Sequence, residues 1–134
     1  MDFTELERKM KKAPLVGYDR LKQIPSSSGV YAAWLDDKPQ CFYVGKAGNL
    51  SERIGSHFLG RRGGDQFCLY VYDAFIHEER CRSDTPMTTK QVNGMTAEWI
   101  RRRVRFQWVE MDSQESASAE KDFRRKWRPL LNPL

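Results

Sequence analysis

Two short runs dense in aromatic and β-branched residues, Gly29–Leu35 and Gln40–Ala47, flank Asp36-Asp37-Lys38-Pro39, and no other stretch constrains the fold as much. Such side chains favour strands and an Asp- and Pro-containing break favours a turn, so the pair is predicted to be a β-hairpin. Pairing Trp34 with Phe42 also pairs Ala32 with Val44 and makes one hairpin face almost wholly apolar. The other face then carries Tyr31 across from Gly45 and Ala33 across from Tyr43. Two phenols lie there diagonally, beside a residue with no side chain, where a phosphate could approach.

Helical signals surround this hairpin. Residues 4–12 are predicted as a short charged helix stopped by Pro14, and Leu15–Ile24 leads into Pro25-Ser26-Ser27-Ser28. Asn49 followed by Glu52 is a near match to a capping box, and Leu50, Ile54 and Phe58 form an apolar stripe, which predicts a helix over 50–59. Gly60 ends it, before the basic Arg61-Arg62-Gly63-Gly64. With Asp65 as N-cap, Gln66–Glu79 reads as a helix with Phe67, Tyr70, Val71, Ala74 and Phe75 inward, being long for one strand. Arg80–Gly94, containing Pro86 and Asn93-Gly94, reads as a loop, and Thr96 as the cap of a short helix with Trp99 and Ile100. Val104, Phe106, Trp108 and Val109 predict a strand to Met111, Asp112–Ser118 a polar connection, and 118–127 a last helix closed by Pro129. The expected fold class is α+β: a small antiparallel sheet of about three strands, hairpin first, flanked by helices.

With 40% hydrophobic and 31% charged residues the chain has a globular composition, and 134 residues suffice for one core. The excess of 23 Lys and Arg over 18 Asp and Glu favours a polyanionic partner. No apolar run is long enough to span a bilayer and Met1-Asp2-Phe3-Thr4-Glu5 lacks a signal-peptide apolar region, so a cytoplasmic protein with no membrane partner is expected. Cys41, Cys68 and Cys81 form no C-x-x-C pair and read as ordinary thiols.

Several residues admit both a chemical and a plain reading. Glu120 shares a helix face with Phe123 and Trp127, where a carboxylate needs neutralising; it is either a ligand for a hard divalent cation or a solvated first-turn glutamate. Arg53 and His57, four apart, could reach one phosphate or lie on a solvated face. Tyr31 and Tyr43 are reactive phenols or packing, and Lys46 a phosphate contact or a surface lysine. The runs Arg101-Arg102-Arg103-Val104-Arg105 and Arg124-Arg125-Lys126-Trp127-Arg128 are nucleic-acid backbone contacts or solvated charge.

In combination the pattern is sharper. Gly29-Val30-Tyr31, then Tyr43-Val44-Gly45-Lys46, Asn49-Leu50, Arg53, His57, Glu120, Pro129 and Asn132 resemble, in order and spacing from about residue 25 onward, the GIY-YIG nuclease family. Val replaces Ile in both signature elements, and His57 four residues after Arg53 is similar to the restriction and homing-endonuclease branches. The resemblance implies a metal-dependent endonuclease hydrolysing DNA phosphodiester bonds. Tyr31, Tyr43, Arg53, His57 and Glu120 would be catalytic, with Gly45, Lys46, Asn132, Arg61 and Arg62 on the substrate. One Mg²⁺ or Mn²⁺ per active site is expected on Glu120, holding a phosphate oxygen and the leaving 3′ oxygen. Arg53 would stabilise charge at phosphorus, and Tyr31 would serve as base, helped by Tyr43, Lys46 or His57. Asn132 would orient the C-terminal segment or simply satisfy local backbone.

The expected organisation is a single domain over 1–134, with a lead-in 1–28, a catalytic core of 29–59 and 104–134, and an insertion 60–103 longer than the connection in minimal family members. No separate DNA-binding domain is expected after Leu134, and DNA selectivity is expected from the lead-in, the insertion, a homodimer or a separate targeting subunit. The alternatives are a catalytically silent nucleic-acid-binding module and a nuclease subunit that needs a partner.

Overall fold

The first strand is the spine of the molecule because it is paired on both edges. In this computed structural model, which describes residues 2–36, 38–83 and 85–132, β1 (Gly29–Leu35) lies between β2 (Lys38–Ala47) and β3 (Val104–Glu110), antiparallel to both. The helices are α1 (Phe3–Lys12), α2 (Leu50–His57), α3 (Gln66–Val71), α4 (His77–Cys81), α5 (Thr89–Arg103) and α6 (Ser113–Trp127). Helices on both sides of a three-stranded antiparallel sheet give the expected α+β class.

Period-two alternation divides the core into two layers. Val30, Ala32 and Val44 face α1 and α6, where Leu6 and Met10, one turn apart, meet Ala119 and Phe123. Tyr31, Ala33 and Tyr43 face Ile54 of α2 and Phe58 at its C-cap, Phe67 and Val71 of α3, Ile100 of α5 and Phe106 of β3. Both sheet edges are covered. Val16 exchanges backbone hydrogen bonds with Phe106 on the outside of β3, and the Leu131 N–H donates to the Phe42 carbonyl on the outside of β2.

The hairpin keeps the expected register through Ala32↔Val44 and Ala33↔Tyr43, then departs from it. Trp34 pairs with Cys41, not Phe42, and β2 begins at Lys38, inside the segment predicted as turn. The resulting irregularity puts Cys41 on the Ala32 and Val44 side and turns Phe42 to the layer of Tyr31 and Tyr43.

Three helix boundaries also differ from the sequence expectation. A π turn at Tyr72–Ile76 joins α3 to α4 and rotates the inward face by one residue, so Tyr72 and Ile76 are buried and Ala74 is exposed. α5 starts at Thr89, not at Thr96: Thr88 and Gln91 form a full capping box, and Asn93-Gly94 is helix interior rather than a turn. Thr96, expected as a cap, is buried within α5 and donates to the Val92 carbonyl. α6 likewise starts at Ser113, with Asp112 accepting from the Glu115 N–H, so 113–118 is helix and Glu120 sits in its second turn.

Gly60 closes α2 in a left-handed conformation (φ 70°) directly against α5, and a Cβ there would be driven into the Ala97 nitrogen and the Asn93 oxygen. Both obstacles are backbone and neither can yield cheaply. Gly60→Ala is therefore expected to lower the unfolding free energy by about 2–4 kcal/mol, measured by urea titration; a loss under ~0.5 kcal/mol would contradict the packing of this turn on α5.

Candidate active site

The central strand aims Tyr31 into the layer beneath α2, and the ring lies flat across the neighbouring strand only because Gly45 stands opposite. A Cβ on Gly45 would sit 2.5 Å from the Tyr31 hydroxyl oxygen and 2.6 Å from its Cζ. The space expected to admit a phosphate beside Gly45 is thus filled by Tyr31 itself, which is wholly buried. Its hydroxyl meets His57 Nε2 at 2.6 Å.

His57 ends α2 and is as buried as Tyr31, stacked among Phe67 (centroids 4.4 Å) and Phe106 (5.9 Å). Its other ring nitrogen, Nδ1, lies 2.9 Å from Oδ2 and 3.1 Å from Oδ1 of Asp65. Asp65 in turn accepts from the Ser56 hydroxyl (2.8 Å) and, as N-cap of α3, from the Cys68 N–H (3.2 Å). Sequence reading gave Asp65 a capping role only. The fold adds a second one, through the turn with positive-φ Gly60 and Gly64 that brings it back beneath His57.

Arg53, one turn before His57 and exposed, lays its guanidinium against the Tyr31 hydroxyl, and its charge is felt by Tyr43 and Asp65. Tyr43, edge-on to Phe67 at 5.0 Å, is 9% exposed and feels the charge of Glu120 from α6. Glu120 itself is half-buried, with Arg124 of the next turn 3.9 Å away. Tyr31, Tyr43, Arg53, His57 and Glu120, drawn from two strands and two helices, therefore share one neighbourhood. Lys46 lies beside it, exposed, in a shallow pocket lined also by Asn49, Glu52, Arg53 and Ser56.

The remaining candidates have other occupations. Asn132 accepts from the Val44 N–H (2.8 Å) and donates to the Val44 carbonyl (2.9 Å), pinning the C-terminal segment to β2. Arg62 donates to Asn93 Oδ1 (2.9 Å) and stacks over Tyr72, whereas Arg61 stays exposed in a groove with Lys90, Arg101 and Arg102. Much of the two basic runs is paired within the chain: Arg101 with the Phe58 carbonyl and the Tyr18 ring, Arg102 with Glu98, Arg105 with Asp36, Arg125 with Asp122.

Burial raises the Tyr31 phenol well above its ordinary range, aided by Tyr43 and Asp65 and outweighing the pull of Arg53. Burial also raises Tyr43, again against Arg53. The cationic help expected for Tyr31 is present but loses to desolvation, so the phenol rests protonated. Burial lowers His57 despite Asp65, leaving a neutral imidazole. For Asp65, burial alone would raise the carboxyl, yet hydrogen bonds from His57, Ser56 and the Cys68 amide bring it down to about 2.

For a metal, the donor set is one half-buried carboxylate, Glu120, and the described residues contain no group of three or more His, Cys, Asp or Glu side chains. That fits a hard cation that keeps most of its water, such as Mg²⁺, and not a multidentate zinc site.

Both depressed values act on stability in one direction. The unfolded chain binds a proton at His57 below about pH 6.5 and at Asp65 below about pH 4 while the folded chain resists both, so stability falls as pH drops. The unfolding free energy should be flat between about pH 7 and 8, decline from pH 6.5, and lose about 2 kcal/mol more between pH 4 and 2 on account of Asp65. Denaturant titrations across this range check it; a profile without the acid limb contradicts a buried, ionised Asp65.

Residues 19–133 match the GIY-YIG catalytic domain family. Among solved structures, the chain is similar to the GIY-YIG N-terminal endonuclease domain of UvrC from Thermotoga maritima bound to magnesium, its catalytic divalent cation, with 22% identity, 86% of this chain and 93% of that chain covered, and a TM-score of 0.45. A point mutant of the same domain with its divalent cation gives 20% identity, coverage of 87% and 93%, and a TM-score of 0.48. No curated protein matches the chain. No helix among the described residues is long and apolar enough to cross a membrane. With the family matched over most of its length, from the segment before the hairpin to the residue after Asn132, the chain belongs to the GIY-YIG catalytic domain family.

Proposed function

We propose that the protein is a metal-dependent endonuclease that hydrolyses DNA phosphodiester bonds at the Tyr31–His57 site. The observation that carries this reading is the convergence of Tyr31, Tyr43, Arg53, His57 and Glu120, residues remote in sequence, within one hydrogen-bonded and electrostatic neighbourhood. Membership of the family and the basic surface around Lys46 and Arg61 point the same way.

Glu120 would hold one Mg²⁺ or Mn²⁺, and the bound cation would supply Lewis acidity to the phosphate. The protein's own groups do the rest. Lys46 and Arg61 are exposed cations able to meet backbone phosphates. Arg53, charged at all working pH values, binds the scissile phosphate with its planar fork and stabilises the negative charge gathering at phosphorus. When the guanidinium moves onto substrate it uncovers the Tyr31 hydroxyl, which is then the nearest acceptor for the proton of the attacking water. Tyr43 packs against the Tyr31 ring and feels the charge of Glu120, so it lies within reach of both groups.

Supercoiled plasmid with Mg²⁺ or Mn²⁺ should yield nicked or linear product that EDTA abolishes. Glu120→Gln should remove detectable cutting and Arg53→Ala should slow it by about 10²–10³-fold, with thermal midpoints within ~3 °C of wild type. Absence of product in either metal, with DNA still bound, overturns the reading in favour of a silent binding module or a subunit awaiting its partner. Unfolding of both variants would remove the case for those two residues.

A further inference from the structure

The described residues hold no buried side-chain oxygen or nitrogen without a partner, so the polar groups under α2 form a closed chain whose direction can be derived. Asp65 is buried, offers only acceptors when ionised, and receives His57 Nδ1, the Ser56 hydroxyl and the Cys68 N–H. His57 Nδ1 must then carry the ring proton. A neutral imidazole protonated at Nδ1 has a bare lone pair at Nε2, and the partner there, 2.6 Å away, is the Tyr31 hydroxyl. Tyr31 therefore donates to His57, and the order Asp65, His57, Tyr31 is a directed path for one proton out of the phenol.

We propose that Asp65 is a positioning residue for catalysis: it fixes the His57 tautomer so that His57 can take the Tyr31 proton as Tyr31 takes one from water. The proposal rests on the nuclease reading above for its chemistry, and on geometry alone for the tautomer. In the step, the water proton passes to the Tyr31 oxygen and the Tyr31 proton passes to His57 Nε2. The water oxygen bonds to phosphorus, and the bond to the leaving oxygen breaks with its electron pair on that oxygen, which takes a proton from solvent. The imidazolium left behind lies against the Asp65 carboxylate, in a site otherwise walled by Phe67 and Phe106, and returns its proton through Tyr31 after the product leaves. The other groups electrostatically coupled to this chain are Arg53 of α2, Tyr43 of β2 and the Cys68 thiol of α3; only Arg53 is a cation. Without Asp65 an imidazolium would meet one positive neighbour and no negative one.

Asp65→Asn separates this role from packing. Asn caps a helix as well as Asp, and the Cys68 N–H requires the amide oxygen at the Oδ1 position. The amide nitrogen must then occupy the Oδ2 position, the nearer of the two to His57 Nδ1 (2.9 Å against 3.1 Å), where by donating to Nδ1 it favours the proton at Nε2 and confronts the Tyr31 hydroxyl with a donor. In a hydrolase whose base histidine is backed by Asp, this exchange costs about 10⁴-fold in kcat through the wrong tautomer. Here kcat is expected to fall by about 10²–10⁴-fold with KM for DNA within ~3-fold, while the thermal midpoint falls by no more than ~10 °C and the variant stays folded at the assay temperature.

Two further readings make the test decisive. In a Tyr31→Phe background, adding Asp65→Asn should slow cutting by less than ~3-fold, because the two residues act as one unit. ¹⁵N spectra of the His57 ring should show the Nδ1–H form in the wild type and the Nε2–H form in Asp65→Asn, with no dependence on activity. Unchanged kcat, a full additive loss in the Tyr31→Phe background, or a wild-type Nε2–H ring overturns the proposal. A wild type that cuts no DNA yet shows the Nδ1–H ring sinks the nuclease reading and, with it, the catalytic part of this one.

Discussion

Because β1 is paired on both edges, Tyr31 cannot choose its surroundings, and its hydroxyl must be satisfied where the strand delivers it. That place is the apolar layer under α2, where an unpaired polar group costs about 1–3 kcal/mol. His57 meets the hydroxyl, Asp65 meets His57, and Ser56 with the Cys68 amide meets Asp65. Each link is tolerable in the core only because of the next. Gly45 is part of the same constraint, since the phenol reaches His57 only by crossing a strand position with no side chain.

The buried chain also orders the elements around it. Ser56 and His57 lie on the last turn of α2, and Asp65 is the first residue of the α3 cap, so satisfying the phenol fixes how α3 follows α2. Phe67, in the first turn of α3, then seals the imidazole and packs edge-on against Tyr43, bringing the second phenol to the mouth of the site beside Glu120. Chemistry and packing are inseparable in this layer because the same side chains close the core and carry the polar groups.

Much of this was legible in the sequence, for reasons that differ by element. The hairpin and the α2 stripe were readable because their signals are local: alternation, a cap at Asn49, and Leu50, Ile54 and Phe58 at helical spacing. The register failed beyond Ala33 because β2 starts within the residues taken as a turn, which no side-chain pattern announces. The start of α5 was written in Thr88 and Gln91, but Asn93-Gly94 looked like the stronger signal. Gly94 lies on the open side of α5, and the ~1 kcal/mol it costs in a helix is outweighed by the capping box and the buried Val92, Thr96 and Ile100. Asp65 could be read as a cap and no further. Its tie to His57 depends on two positive-φ glycines and on the depth to which β1 sinks Tyr31, and neither is a property of spacing along the chain.

The substrate contacts failed to stand out for a related reason. Arginine runs suggest phosphate binding by charge alone, but an arginine near a carbonyl, a carboxylate or an aromatic ring satisfies its fork within the protein, as Arg62, Arg101 and Arg105 do. Asn132 is spent in the same way on Val44, and in holding the tail to the outer edge of β2 it protects the strand that carries Tyr43 and Gly45. Arg53 is different in kind. It is exposed, lies on the helix that ends in His57, and rests on a phenol whose proton already has an acceptor, so a substrate phosphate can draw the guanidinium away without leaving the Tyr31 hydroxyl unsatisfied. A buried hydroxyl already satisfied from behind can be uncovered from in front at little cost, and in this fold Asp65 and His57 supply that support from the side opposite the solvent.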